Sequence, residues 1–156
     1  MNSKEQSVDL EFRTAASLDN ERVRILLREV KLPTESVDTG ATTFYVGTEK
    51  GDVVGIAGFE FYGDDALLRS IAVRPGLQSR GIGSRIVDRM LSVARQRKIR
   101  QVVLLTETAQ KFFERKGFKV MERSSITNGS MQQSTEFSVA CPKSAVCMVL
   151  DLDAQA

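Results

Sequence analysis

The sequence predicts an α/β (α+β) chain, with one mixed central sheet of about seven strands and helices on both faces. Three observations point there. Residues 42–49, 53–62 and 66–73 are rich in β formers and are separated only by the turn signals Lys50-Gly51-Asp52 and Gly63-Asp64-Asp65, so the first half of the sheet is an antiparallel meander. An amphipathic helix then leads to the apolar run 101–105, and a strand, a crossover helix and a strand make a right-handed parallel unit. Between meander and helix lies a basic loop with three glycines, Gly76, Gly81 and Gly83, around which the chain is organised.

The elements follow in order. Residues 8–14 form a short first strand, and a helix capped by Ser17 or Asp19 comes next. Leu18, Val23, Leu26, Leu27 and Val30 recur there at helical spacing. Pro33 ends that helix or opens a short one across 34–39. Gly55 and Gly58, inside the second meander strand, mark a bulge or a close backbone approach. The long helix begins near Gly83 or Ser84. Its Ile86, Val87, Met90, Leu91, Val93 and Ala94 share one side, within an arc of roughly 160°. A helix over 108–116 stops at Gly117, and a strand covers 118–121. Residues 124–138 read as a polar loop with a short helix, and 145–152 as a closing strand paired with 118–121. Residues 1–7 are a short extension, and 8–156 one domain.

Composition narrows the function classes. The 156 residues suit one domain with a proper core, and 42% apolar with 27% charged residues suits a soluble globular chain. With 22 basic against 20 acidic residues, the net charge of +2 argues for no nucleic-acid partner. No apolar run approaches the roughly 20 residues of a membrane span, and the start lacks a signal-peptide core, so a cytoplasmic protein without a membrane partner is expected. Histidine is absent, which removes the commonest general base and zinc ligand. Cys141 and Cys147 cannot complete a four-ligand zinc site, so no metal is expected, and they read as two small buried hydrophobes. Proton transfer is left to carboxylates, Tyr45, Tyr62, a thiol or a relayed water.

The glycine loop has a specific chemistry. Glycine lets backbone approach a ligand closely, and the first N–H groups of a helix are unpaired at the positive end of its dipole. Such a loop cradles phosphate, and Arg74, Arg80 and Arg85 add full charges. The plainer reading of the same glycines is a turn with close packing. A dinucleotide-binding domain is a rival, with Glu107 as its ribose-binding acid. Against it, the glycines follow an antiparallel meander and Ile86 stands at the third glycine position.

Val73-x-Pro75, Gln78-x-x-Gly81-x-Gly83, the amphipathic helix, the strand at 101–105 and Phe112-Phe113-Glu114-Arg115-Lys116-Gly117-Phe118 together resemble the GCN5-related N-acetyltransferases (GNAT). Leu67-Leu68-Arg69-Ser70, Thr106-x-Thr108-Ala109-x-x-Phe112-Phe113 and Glu136-Phe137 followed by Cys141-Pro142-x-Ser144-Ala145-Val146-Cys147-Met148 look like the small acetyltransferases of arsenic-resistance gene clusters. The same segments are more distantly similar to the N-acetylglutamate synthase catalytic domain.

The resemblance implies acetyl-CoA as co-substrate and acetyl transfer to the amine of a small molecule, an amino acid or a glutamate-like analogue, with a link to arsenic resistance. It implies pyrophosphate on Gln78, Ser79, Arg80, Gly81, Ile82, Gly83 and Ser84, and the pantetheine arm along Ile71, Ala72 and Val73, where the fourth and fifth strands splay. Phe113 is added to the cofactor site, and Tyr62 and Thr106 to the substrate site. A backbone N–H at Ile71 is the expected oxyanion donor. Glu60, in an otherwise apolar strand, is the first candidate base, with solvent exposure as the plainer reading. Glu107 is the second. Many relatives use a tyrosine as acid in the last core helix; Phe113 stands there, so a side-chain acid is in doubt. Arg69 is expected to anchor a substrate carboxylate or to sit in an internal salt bridge, with Glu60 as the partner. A non-catalytic acyl-CoA-binding or arsenic-sensing module of the same fold is the alternative, and the resemblance implies a second reading of Cys141 and Cys147 as a soft thiolate pair for trivalent arsenic. Relatives are often homodimers, and the oligomeric state stays open.

Overall fold

The computed structural model describes residues 9–134, 136–137 and 144–153; the expected extension 1–7 and Cys141 lie outside the described residues. Seven strands form one open hydrogen-bonded sheet. In spatial order they are β1 (Glu11–Thr14), β2 (Thr43–Glu49), β3 (Asp52–Tyr62), β4 (Asp65–Val73), β5 (Gln101–Thr106), β7 (Val146–Asp151) and β6 (Lys119–Val120). The β1–β2, β2–β3, β5–β7 and β6–β7 ladders are antiparallel, and β4–β5 is parallel. The expected mixed α/β sheet is therefore present, and the antiparallel ladders set aside the parallel dinucleotide-binding fold. The chain divides into two compact units, residues 1–59 with 70–93, and residues 60–69 with 94–156.

In the first unit, α1 (Asn20–Glu29) turns Val23, Leu26 and Leu27 inward, where they pack with Val37, Phe44, Val46, Ile56 and Ala72. Each such fully buried aliphatic side chain contributes about 1.5–3 kcal/mol. Two sequence expectations change here. Leu18 lies in a 3₁₀ turn, Ser17–Asp19, ahead of α1, so it falls off the helical face and is 94% exposed. Asp19 makes no side-chain cap to α1; its carboxylate accepts from the Ala16 amide at 2.7 Å and pairs with Arg13. The short helix α2 (Glu35–Thr39) follows.

The long helix α3 (Ile82–Gln96) starts one residue before Gly83 and buries Ile82, Ile86, Val87, Met90 and Leu91. Gly55 is its seat. A Cβ there would stand 2.4 Å from Ile86 Cδ1, so the close approach expected at this glycine is to a helix. The β2–β3 register also shifts at Gly47/Thr48, where Val54 is the extra residue of a bulge.

In the second unit, β7 pairs with β5 from Gln101↔Asp151 to Thr106↔Val146 and with β6 on its other edge. Leu67, Val103, Ile126, Met131, Phe137, Cys147 and Val149 form its core. Helix α4 (Gln110–Arg115) begins two residues later than expected, because Thr106 Oγ1 accepts from the Ala109 amide at 3.1 Å and holds the preceding turn. The polar stretch carries a 3₁₀ turn, Arg123–Ser125, and a one-turn helix α5 (Gly129–Gln132). Asn128 caps α5 through the Met131 amide. Its Nδ2 donates to the Tyr62 carbonyl at 2.9 Å and to Asp65 at 3.0 Å, which ties the stretch to the β3–β4 turn. Arg97 lies over the Phe61 ring, 3.8 Å from its centroid.

Candidate active site

The loop of the first unit is shaped by left-handed residues. Gly76, Ser79 and Gly81 have φ of 90°, 71° and 77°, and each reverses the local run of the backbone. Alternation of this kind aims successive N–H groups into a concavity suited to an anion. The first link back into α3 is Arg85 N to Gly81 O at 3.0 Å, so the Ile82 and Gly83 amides ahead of it are first-turn donors with no carbonyl one turn behind. Gln78 Nε2 donates to Val73 O at 3.4 Å, fastening the loop to the end of β4. A Cβ at Gly83 would meet only Val73 Cγ2, at 3.6 Å, so nothing in the protein itself demands glycine there. Gly81 needs its left-handed φ. Arg80 and Arg85 are exposed beside the loop. Ile71 and Val73 are half-buried in β4, Ala72 is buried, and Ser70 just before them is a non-glycine residue at φ 57°.

The second unit holds Glu60, Arg69 and Glu107, the charged residues singled out for catalysis and acceptor binding. Glu60 and Tyr62 are two apart on β3, so strand alternation puts them on one face. The Tyr62 hydroxyl donates to Glu60 Oε1, and Arg69 Nη1 of β4 donates to Glu60 Oε2. The Arg69 and Glu60 side chains are each only 4% exposed. Arg69 Nη2 faces a further carboxylate, Glu136 Oε1, at 3.4 Å. In the sequence Glu136 carries no functional pattern of its own; a lone acid beside Phe137 in a polar stretch is the available signal. Burial first, and the hydrogen bond to Glu60 second, push the Tyr62 hydroxyl up to about 12. The hydroxyl is neutral at physiological pH and remains a donor.

The remaining candidates are spread more widely. Glu107 is exposed and accepts from Ser144 Oγ at 3.2 Å. Phe113 is buried edge-on between Phe112 and Phe118, at centroid distances of 5.0 and 5.5 Å. Cys147 is buried in the core, which pushes its thiol up to about 11. Past Leu67↔Val103 the β4–β5 ladder has no further paired residues, although both strands continue. Among the described residues no His, Cys, Asp and Glu group of three or more is placed to hold a metal, and no helix is long and apolar enough to cross a membrane.

These features have counterparts in known proteins. A family model described as an acetyltransferase (GNAT) domain matches residues 40–120. The chain is 38% identical over 78 residues to an amino-acid acetyltransferase of Mycobacterium tuberculosis, covering 49% of this chain and 44% of that protein, so the match spans less than half of that relative's length. It is 29% identical over 119 residues to an uncharacterized N-acetyltransferase of Chlorobaculum tepidum, 76% of this chain and 74% of that one. Among solved structures, a Mycobacterium tuberculosis protein in complex with CoA and NLQ superposes with a TM-score of 0.77 at 27% identity, covering 90% of this chain and 98% of that one. The N-acetylglutamate synthase of Neisseria gonorrhoeae, complexed with coenzyme A and N-acetyl-glutamate, shares the fold at TM-score 0.80 and 19% identity, over 94% of this chain and 36% of that one. The family model spans just over half of the chain, from the head of the meander through the glycine loop and α3 to β6. This chain therefore belongs to the GNAT acetyltransferase family.

Proposed function

We propose that the chain transfers the acetyl group of acetyl-CoA to the amine of a small molecule, an amino acid or a glutamate-like analogue. The observation that carries this reading is the loop of left-handed residues leading into the first-turn amides of α3, a cradle for pyrophosphate in a chain of this family. Amino-acid specificity is supported by the amino-acid acetyltransferase relative and by the neighbour solved with CoA and N-acetyl-glutamate. Arsinic and phosphinic glutamate analogues enter as acceptors through the sequence resemblance alone.

In the proposed reaction the neutral amine nitrogen attacks the thioester carbonyl carbon. The C–N bond forms, the C–S bond breaks, and CoA leaves as a thiolate that takes up a proton. The Ile71 N–H is assigned to the oxyanion, a donor of a kind typically worth about 2.7–4 kcal/mol. Glu60 is assigned as the base for the amine proton, directly or through one water, with Glu107 as the rival. Arg69 is assigned to the acceptor carboxylate, and Tyr62 and Thr106 to the acceptor's polar groups. Phe113 brings no hydroxyl, so the thiolate is protonated by solvent or by the amine's own proton; a thiol pKa near 8.5 makes that sufficient.

The absent hydroxyl at Phe113 also favours the second reading, an acyl-CoA-binding module without turnover. A thiol-release assay over amino acids, the glutamate analogues, aminoglycosides and polyamines decides between them. Turnover with an amino-acid acceptor is expected, falling by about 10²–10⁴ in Glu60→Gln and far less in Glu107→Gln. Tight acetyl-CoA uptake with no thiol released by any amine establishes the second reading.

A further inference from the structure

We propose that the Ser36 hydroxyl of α2 is a hydrogen-bond partner for an amide of acetyl-CoA's pantetheine arm. This rests on the reading that the arm lies along Ile71, Ala72 and Val73. Ser36 is only 8% exposed, and its Oγ is the one buried side-chain oxygen or nitrogen that finds no hydrogen-bond partner among the described residues. Its neighbours in α2 are satisfied. The Val37 amide donates to the Thr34 carbonyl at 3.0 Å. Thr39 Oγ1 donates to the Ser36 carbonyl at 3.5 Å and accepts from the Ala41 amide at 3.3 Å. A buried hydroxyl left unpaired costs about 1–3 kcal/mol, a cost that alanine at this position would avoid.

The place of Ser36 says which ligand would meet it. Val37, the next residue, packs into the apolar cluster that also holds Ala72, so α2 and the end of β4 share one cluster within the first unit. The chemistry of the arm fits that setting. It is an aliphatic chain interrupted by two neutral amides. A neutral hydroxyl beside an apolar cluster suits an amide, whereas a phosphate or carboxylate would be costly to bury there. The backbone also lets α2 settle against an arm. The helix lies between two left-handed residues, Lys31 at φ 61° and Gly40 at φ 72°. Its Asp38 pairs with Arg24 at an exposed site, and such a pair holds an element only weakly.

The test is calorimetric titration of the full chain and its variants with acetyl-CoA and with 3′-phospho-ADP, the nucleotide half without the arm. Ser36→Ala is expected to bind acetyl-CoA about tenfold more weakly and 3′-phospho-ADP as the parent does. Its thermal midpoint without ligand is expected to stay level or rise, because no protein partner is lost. Ser36→Cys fills the same space with a weak donor and is expected to weaken acetyl-CoA in the same way. Undiminished acetyl-CoA affinity in Ser36→Ala overturns the contact and leaves the hydroxyl to a buried water. Parent affinity in Ser36→Cys assigns the loss to packing and overturns it too. Equal weakening of both ligands, or a lowered midpoint in Ser36→Ala, also overturns it, since the residue then acts through the fold. If the parent binds acetyl-CoA no more tightly than 3′-phospho-ADP, the placement of the arm fails and the contact with it. If the parent binds neither, the pyrophosphate cradle itself fails.

Discussion

Arg69 and Glu60 are equally buried, yet their removal has unequal consequences. Deleting the guanidinium takes the shared cation away from two carboxylates, Glu60 and Glu136, and turns an apolar side chain toward them. Neutralising Glu60 leaves Arg69 with Glu136 still facing it, and a glutamine there keeps a polar partner for Tyr62. Arg69→Met is therefore expected to lower unfolding stability by about 3–5 kcal/mol and Glu60→Gln by about 1–2 kcal/mol, measured by urea denaturation at neutral pH. Equal losses would show that Glu136 contributes nothing to the pairing. The pair itself was legible, since a guanidinium in an apolar strand needs an anion and Glu60 is the acid set within the otherwise apolar run of the neighbouring strand. Tyr62 was legible in part, because its spacing of two from Glu60 fixes a common face. Glu136 was not, because a residue so distant in sequence is brought back by the course of the polar stretch, and no local pattern encodes that return.

At the scale of the element, the glycine loop and α3 divide the labour between two glycines. Gly81 is required by its backbone, at φ 77°, with nothing within 4 Å of a notional Cβ. Gly83 has an ordinary φ and only the 3.6 Å contact to Val73, so its smallness serves whatever approaches from outside. Gly83→Asp is expected to fold with a thermal midpoint close to the parent's and to lose acetyl-CoA binding, by bulk and by like charge against a diphosphate. Gly81→Ala is expected to lower stability by about 1–2 kcal/mol, the cost of a left-handed non-glycine residue. Melting curves and acetyl-CoA titration on the two variants separate these outcomes; unchanged affinity in a folded Gly83→Asp would remove the cradle. The apolar arc of α3 and the three glycines could be read directly from spacing. The left-handed Ser70 and Ser79 could not, because serine at such a φ is held by its surroundings and has no spacing signature.

For the molecule as a whole, seven strands were legible as runs, turns and one crossover, whereas their neighbours were only partly so. The closing strand was expected beside residues 118–121, and it lies there, but its other edge takes six pairs with β5 and so parts β5 from β6. Both edges of β7 are thereby committed, and Cys147 is buried within it at 3% exposure. Burial raises that thiol from 9.0 to about 11, and burial with the Glu60 hydrogen bond raises the Tyr62 hydroxyl from 10.0 to about 12. Both groups are acids whose neutral form is favoured by folding. Their contribution is complete below the unfolded values of 9.0 and 10.0 and is lost as pH rises through the folded ones. Global stability is therefore expected to fall between pH 9 and pH 11, with Cys147 accounting for roughly 2 kcal/mol of the loss. Urea unfolding across that range should show a shallower decline in Cys147→Ala, from a lower starting point because a small cavity is left. Identical slopes in parent and variant would mean that the thiol titrates in the fold as it does in the open chain, and that β7 does not exclude water from it.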